Sequence, residues 1–226
     1  MDKTALLKEL RDSLEKDSIF FVQIGASDGD ANDIAKHIIK EEDRGIFVEP
    51  CLSSFDKLVF NKKNFLNCLF LNAAILPEDI GCNLEINILS DDELQQGSSL
   101  IADLPSSYRK IKTQSVKTVS LKTFIDRYEI RDIDIFFCDT EGLDHILIQK
   151  LLTITQPRIL IFESFSWLNE EKETILSSNF KITIPSRQTI KNILSQNKYQ
   201  YIDFNNSNID KSEDIIAWKP FLENKL

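Results

Sequence analysis

Phe20-Phe21-Val22-Gln23-Ile24-Gly25-Ala26-Ser27-Asp28-Gly29-Asp30 is the stretch from which the fold is read. An apolar run ends in two glycines four residues apart, and a helical pattern follows. A buried strand, a tight loop and a helix start in that order open a nucleotide-binding α/β unit, where a Gly-rich loop lets a ligand approach the backbone. A second apolar run, Gly45-Ile46-Phe47-Val48, ends in Glu49-Pro50. In such units the second strand ends in a carboxylate, about 20 residues on, that takes ribose hydroxyls. Glu49 lies 24 residues after Gly25. A plain strand-to-helix turn with glycines at positive φ would explain the loop alone. With Glu49 in place, a ligand explains both.

Outward from this stretch, strands and helices alternate. Residues 2–16 carry leucines at 6, 7, 10 and 14 with charges between, the spacing of an amphipathic helix that covers the sheet. Asp30 or Asn32 is placed to cap a helix whose apolar side is Ile34, Ala35, Ile38 and Ile39. Strands are expected at 19–24, 45–49, 66–71, 84–89, 115–119, 133–138, 159–162, 199–204 and 214–218. Helices are expected around Phe55–Val59, at 120–129, from Leu143 to Leu151 and near 187–197. The last two strands flank a polar turn and pair antiparallel. Near-continuous apolar strands between helices predict one α/β domain over residues 1–226. Its core is a Rossmann-like, mostly parallel seven-stranded sheet with an antiparallel edge strand and helices on both faces. The polar stretch 90–112 is long for a connection and reads as a lid.

Composition narrows the function. The 226 residues carry a net charge of −9, which argues against an extended nucleic-acid interface built on a basic stripe and leaves only a local basic patch open. No apolar run approaches the roughly 20 residues of a membrane span. The start, Met1-Asp2-Lys3-Thr4, leads into the charged helix and does not resemble a signal peptide. Cys51, Cys68, Cys82 and Cys138 show no C-x-x-C pairing and read as reduced thiols. Together these features predict a cytoplasmic protein.

Ligands of such sheets bind at the carboxyl ends of the strands. The polar residues there are Gln23, Asp28, Glu49, Asn72, Asp139, Glu141 and Glu163, an acidic crevice. That charge separates two adenosine cofactors. A dinucleotide places its pyrophosphate on a G-x-G-x-x-G loop at a helix N-terminus, and Asp28 inside Gly25-x-x-x-Gly29 repels phosphate. S-adenosylmethionine has no phosphate and carries an ammonium and a sulfonium, both of which gain from carboxylates. Glu49 would hold its ribose diol and Asn72-Ala73 would flank its adenine. Asp139 at the tip of the most apolar strand is a candidate general base, a holder of the cofactor amine, or a ligand of a divalent cation with Glu163. Carboxylates at a helix start also gain from free amides there, which accounts equally for Glu141 and Asp144. His145 is a candidate base, though it falls beside the buried face set by Leu143, Ile146 and Leu147. Phe165 and Trp167 would line a sugar pocket or fill the core.

Six motifs occur in a fixed order: Val22-Gln23-Ile24-Gly25-Ala26-Ser27-Asp28-Gly29, Ile46-Phe47-Val48-Glu49-Pro50, Leu71-Asn72-Ala73-Ala74-Ile75, Ser98-Ser99-Leu100, Val119-Ser120-Leu121-Lys122-Thr123-Phe124 and Asp139-Thr140-Glu141-Gly142. The ordered set resembles the FkbM family of class I S-adenosylmethionine-dependent methyltransferases, over residues 19 to 218. The resemblance implies O-methylation of a hydroxyl, often on a sugar of a glycan or natural product. It also implies cofactor contacts at Gly25, Ala26, Asp28, Gly29, Glu49, Asn72, Ala73 and Asp139. Gln23 and Pro50, at the same strand ends, complete the candidate set. The family commonly has Asn where Ser27 stands, Lys-Ile-Asp where Phe137-Cys138-Asp139 stands, and Glu where Asp144 stands. Residues 2–16 lie outside the resemblance. Two rival readings remain: a non-catalytic binding module on the same fold, and an NAD-linked oxidoreductase, which the loop chemistry disfavours.

Overall fold

Each apolar run forms a strand, and the amphipathic segments pack on the two faces of the sheet. The structure, a computed structural model, describes residues 2–31, 33–81, 83–89, 98–102, 110–176, 180–205 and 212–220. In chain order the elements are α1 (Lys3–Ser13), β1 (Phe20–Ile24), a 3-10 turn (Ile34–His37), β2 (Arg44–Val48), α2 (Leu52–Asn61), β3 (Cys68–Leu71), β4 (Ala74–Leu76) and β5 (Asn83–Ile88). Then come β6 (Lys112–Ser120), α3 (Leu121–Arg127), β7 (Ile135–Cys138), α4 (Asp144–Ile154), β8 (Ile159–Phe165), β9 (Lys172–Leu176), β10 (Phe180–Ile184), α5 (Arg187–Gln196), β11 (Gln200–Asn205) and β12 (Ser212–Trp218).

The main sheet has seven strands in the order β11-β12-β8-β7-β1-β2-β3. It is parallel except at β12, which runs antiparallel to both β8 and β11. The reversed strand therefore lies one in from the edge. Alternation along the strands feeds two cores. Val22, Ile24, Val48, Phe136, Cys138 and Phe162 point to the face covered by α3, α4 and α5. Phe21, Phe47, Ile135, Phe137, Ile159 and Ile161 point to the face covered by α1 and Leu58 of α2. Strands apolar on both sides are what a sheet sandwiched between helices requires. In α1, Leu6, Leu7 and Leu10 are buried, as their spacing predicts, and each contributes roughly 1.5–3 kcal/mol by leaving water.

Several elements differ from expectation. The helix after the glycine loop is only a 3-10 turn. Asp33, not Asp30, caps it through Ala35 N at 2.9 Å, and Asn32 lies outside the described residues. Few residues separate the loop from β2, and Asp43 already binds Lys40 N, so no longer helix fits. Strand β3 starts two residues late, with Leu66 left 87% exposed in the preceding turn. Strand β8 runs on to Phe165, which places Glu163 inside it. The short strand β4 and the β9–β10 hairpin were not legible as strands. Of the expected lid 90–112, residues 90–97 and 103–109 lie outside the described set; Ser99 bridges Asn87 of β5 and Ile101 bridges Leu176 of β9.

At the amino ends of the strands, a buried ion pair at Asp43 and a half-buried one at Asp134 tie the layers together. Asp43 accepts from Arg11 Nη2 at 2.9 Å, Ile19 N at 2.9 Å and Lys40 N at 2.8 Å. Asp134 accepts from Lys16 Nζ at 2.7 Å and Phe20 N at 2.9 Å. Removing one partner of such a pair strands the other charge in the interior. Asp43→Ala is therefore expected to cost about 3–5 kcal/mol in urea unfolding, and a loss under 1 kcal/mol would show that Arg11 finds another acceptor.

Candidate active site

The glycine loop is built by backbone constraint. Gly25 N and Ala26 N both donate to Val48 O, at 2.9 and 3.0 Å. Gly25 has φ +78°, and a Cβ there would collide with the carbonyl oxygen of Asp139. Only glycine lets the tip of β1 pass so close to the tip of β7. Ser27 also takes a left-handed φ of +48°. Its amide donates to Glu49 Oε2 at 2.8 Å, while Cys51 N donates to Glu49 Oε1 at 2.8 Å. The Glu49 carboxylate is thereby fixed beside the loop with one amide on each oxygen.

A cavity of about 380 Å³ opens over these strand tips, within the size range of small-molecule sites. Of the candidate residues, Gln23, Gly25, Ala26, Glu49, Pro50, Ala73, Asp139 and Glu163 line it. Asp28, Gly29, Asn72 and His145 do not. Asp28 closes its own loop, accepting from Asp30 N at 3.0 Å and Ala31 N at 2.9 Å. Gly29 packs against Leu58 and Lys62. Asn72 Nδ2 donates to the carbonyls of Glu49 and Pro50, at 2.9 and 3.0 Å, and so holds the turn that presents Glu49. His145 is fully buried between Ser164 Oγ and Pro185 O, both at 2.8 Å. Burial lowers its pKa to about 4, so the ring is a neutral bridge behind the sheet. Phe165 and Trp167 stack on each other, 5.6 Å between centroids, and neither lines the cavity.

The Asp139-Thr140-Glu141-Gly142 turn is held from below. Asp144 accepts from Thr140 Oγ1 at 3.0 Å and Gly142 N at 3.2 Å. Its burial raises the carboxyl to about 6 against those bonds. Asp139 keeps solvent contact through the cavity, yet loss of solvation, then Glu141 and Glu163, push it well above the usual carboxylate range. Asp139, Glu141 and Glu163 each bring an oxygen within 4.8 Å of the others. Exposed acidic groups are common without an ion, so this spacing adds nothing to the expected divalent cation.

Three charged lining residues escaped the sequence reading: Asp33, Asp214 and Lys3. Gln23 Nε2 donates to Asp33 Oδ1 at 3.0 Å, and Asp214 faces Glu163 across β12 and β8. No local pattern marks either aspartate: Asp33 comes to the cavity as the cap of the 3-10 turn and Asp214 by strand order. Three buried oxygens of cavity residues have no protein partner: Gln23 Oε1, Ser27 Oγ and Asp33 Oδ2. Such atoms call for a ligand or water.

Residues 23–201 match the family model of the methyltransferase FkbM domain. The chain belongs to that family. Its fold resembles the N-terminal domain of EvdMO1, solved in the presence of SAH and D-fucose, with 9% identity, 96% of this chain and 82% of that chain covered, and a TM-score of 0.50. Fibrillarin from Aeropyrum pernix, with natively bound S-adenosyl-L-methionine, aligns at 12% identity over 95% of this chain and 72% of that one, with a TM-score of 0.48. An rRNA methylase from Streptococcus thermophilus aligns at 9% identity over 95% and 94%, with a TM-score of 0.49. No curated protein matches the chain. No helix among the described residues is long and apolar enough to cross a membrane.

Glu49 gives this FkbM-family site a pH signature. Burial raises its carboxyl from 4.5 to about 7, opposed by the amides of Cys51 and Ser27. Between those values the folded state holds a proton that the unfolded state has released, so stability is lost as pH rises from about 4.5 to 7. Glu49→Gln removes the titration. Relative to wild type, its stability should gain on the order of 3 kcal/mol between pH 4.5 and pH 8. Urea unfolding of both proteins at the two pH values checks this, and an unchanged difference would refute the buried setting of Glu49.

Proposed function

We propose that the chain is an S-adenosylmethionine-dependent O-methyltransferase acting on a hydroxyl of a sugar, a glycan or a related natural product. One observation carries this reading: the cavity joins a glycine loop and Glu49 at one end to a set of carboxylates at the other. The donor set fits an adenosine with cationic groups, since carboxylates there welcome an ammonium and a sulfonium and oppose a pyrophosphate. Family membership adds weight against the NAD-linked alternative.

When bound, the donor supplies a methyl on a sulfonium, which the acceptor oxygen takes as the carbon–sulfur bond breaks. Glu49 accepts from the ribose hydroxyls with the lone pairs left by Ser27 N and Cys51 N. Gly25 and Ala26 let the nucleoside lie against the backbone. Pro50 and Ala73, which line the cavity, would flank the adenine. Asn72, Asp28 and Gly29 act one layer back, by holding the loop and the Glu49 turn. Asp139 and Glu163 face the acceptor. A cation in the cavity would keep Asp139 ionised, and its desolvation and its neighbours Glu141 and Glu163, which raise its affinity for protons, would fit it to receive the hydroxyl proton. Holding oxygen and methyl in line supplies much of the rate, and Ser98 and Leu100, which line the cavity, close it from above.

Calorimetric titration with S-adenosylhomocysteine tests the donor end. Wild type should bind, and Glu49→Ala should bind at least about tenfold more weakly, the worth of one charge-assisted hydrogen bond. Equal affinities would reject the ribose assignment. Incubation with a panel of hydroxylated sugars, read by mass, should show the gain of one methylene unit. Cofactor binding with no transfer to any hydroxyl would favour the non-catalytic binding module.

A further inference from the structure

Among the described residues lining the cavity, six are carboxylates and one is a cation, Lys3. It lies outside the segment that matches the family, residues 23–201. Helix α1 carries it there: Leu6, Leu7 and Leu10 seat the helix beneath the sheet, and Asp2 caps its first turn through Ala5 N. The Lys3 ammonium pairs with Asp214, and both side chains keep solvent access, 29% and 19%.

Strand alternation puts the neighbours of Lys3 on the same face. Gln23, Phe137 and Ile161 form one row across β1, β7 and β8, and Phe137 and Ile161 pack with the α1 leucines. Two residues further along their chains, Asp139 and Glu163 lie on that face too, and Asp214 is the register partner of Glu163. A row of three carboxylates, Asp139, Glu163 and Asp214, thus ends at Lys3.

We propose that Lys3 receives the α-carboxylate of the donor's amino-acid end, while the carboxylate row takes its ammonium. The inference rests on the S-adenosylmethionine reading and adds the residue that selects the zwitterion. An amino-acid end carries both signs. The row attracts the ammonium and repels the carboxylate, so a carboxylate enters only where a cation meets it. An ammonium has three protons to donate, and Asp214 takes one. A role confined to pinning α1 on β12 is the structural alternative, and a partly exposed pair stabilises little.

The test is calorimetric binding of two ligands: S-adenosylhomocysteine, and its decarboxylated analogue, which keeps the amine and lacks the carboxylate. Wild type should prefer the first by about tenfold or more. Lys3→Gln should lose that preference by weakening only the first ligand, and Lys3→Arg should retain it. Thermal unfolding of the variants reports whether α1 stays seated. Equal weakening of both ligands by Lys3→Gln, or no weakening of either, overturns the inference while leaving the donor reading intact. Failure of wild type to bind either ligand overturns the donor reading itself.

Discussion

Six carboxylates share one cavity with a single lysine among its described lining residues, and the rest of the molecule is arranged to make that tolerable. Like charges a few ångströms apart in a partly dry site repel strongly. The chain has two ways to accommodate them. It leaves Asp139, beside Glu141 and Glu163, with a raised affinity for protons, and it leaves Glu49 raised by burial although two backbone amides hold it. Both costs fall on the protein without its ligand, and a cationic ligand relieves both. A site that is electrostatically uncomfortable when empty is a site that selects the sign of what fills it.

Holding those groups together is the task of the sheet. Strand order β12-β8-β7-β1-β2 brings Asp214, Glu163, Asp139, the Gly25 loop and Glu49 into line along one edge, although they span most of the sequence. The tightest point is the passage of Gly25 beneath the Asp139 carbonyl. There the glycine is required by space as well as by φ, so the loop and the Asp139 turn cannot move independently. The opposite edge is closed by ion pairs at Asp43 and Asp134. The acids at the amino ends of the strands are thus paired with cations, while carboxylates outnumber cations at the carboxyl ends.

How much of this was readable in the sequence follows from the same distinction. The parallel strands were legible because residues such as Phe136 and Phe137 are apolar on both faces, a pattern sandwiched strands require. Glu49 was legible from its offset to Gly25. Asp28, Gly29 and Asn72 were legible as part of the loop but not as its supports, because sequence places a side chain at a strand end without its direction. Asp33 and Asp214 were missed because neither follows an apolar run: Asp33 caps a 3-10 turn where a helix was expected, and Asp214 lies in the first half of a strand that runs backwards. Lys3 was read as one of the charges on a surface helix, since its place depends on how α1 crosses the sheet. The β9–β10 hairpin carries lysines and threonines between its apolar residues, too polar a pattern to stand out.

Burial alone does not tell a working acid from a structural one; the fate of its lone pairs does. Asp43 is fully buried, and three donors converge on it. Asp144 is as deep, and its oxygens face the amides and hydroxyl of the turn above. Their hydrogen-bonding capacity is spent inside the fold, so substituting them tests stability. Asp33 keeps a buried oxygen with no partner in the protein, and Asp139 opens onto the same cavity. Capacity left unspent at a cavity wall is available to a ligand, which is the physical sense in which this edge of the sheet is a site and the other is a foundation. His145 falls on the foundation side by the same criterion. Both ring nitrogens are engaged, which makes it a positional brace between α4, β8 and the start of α5.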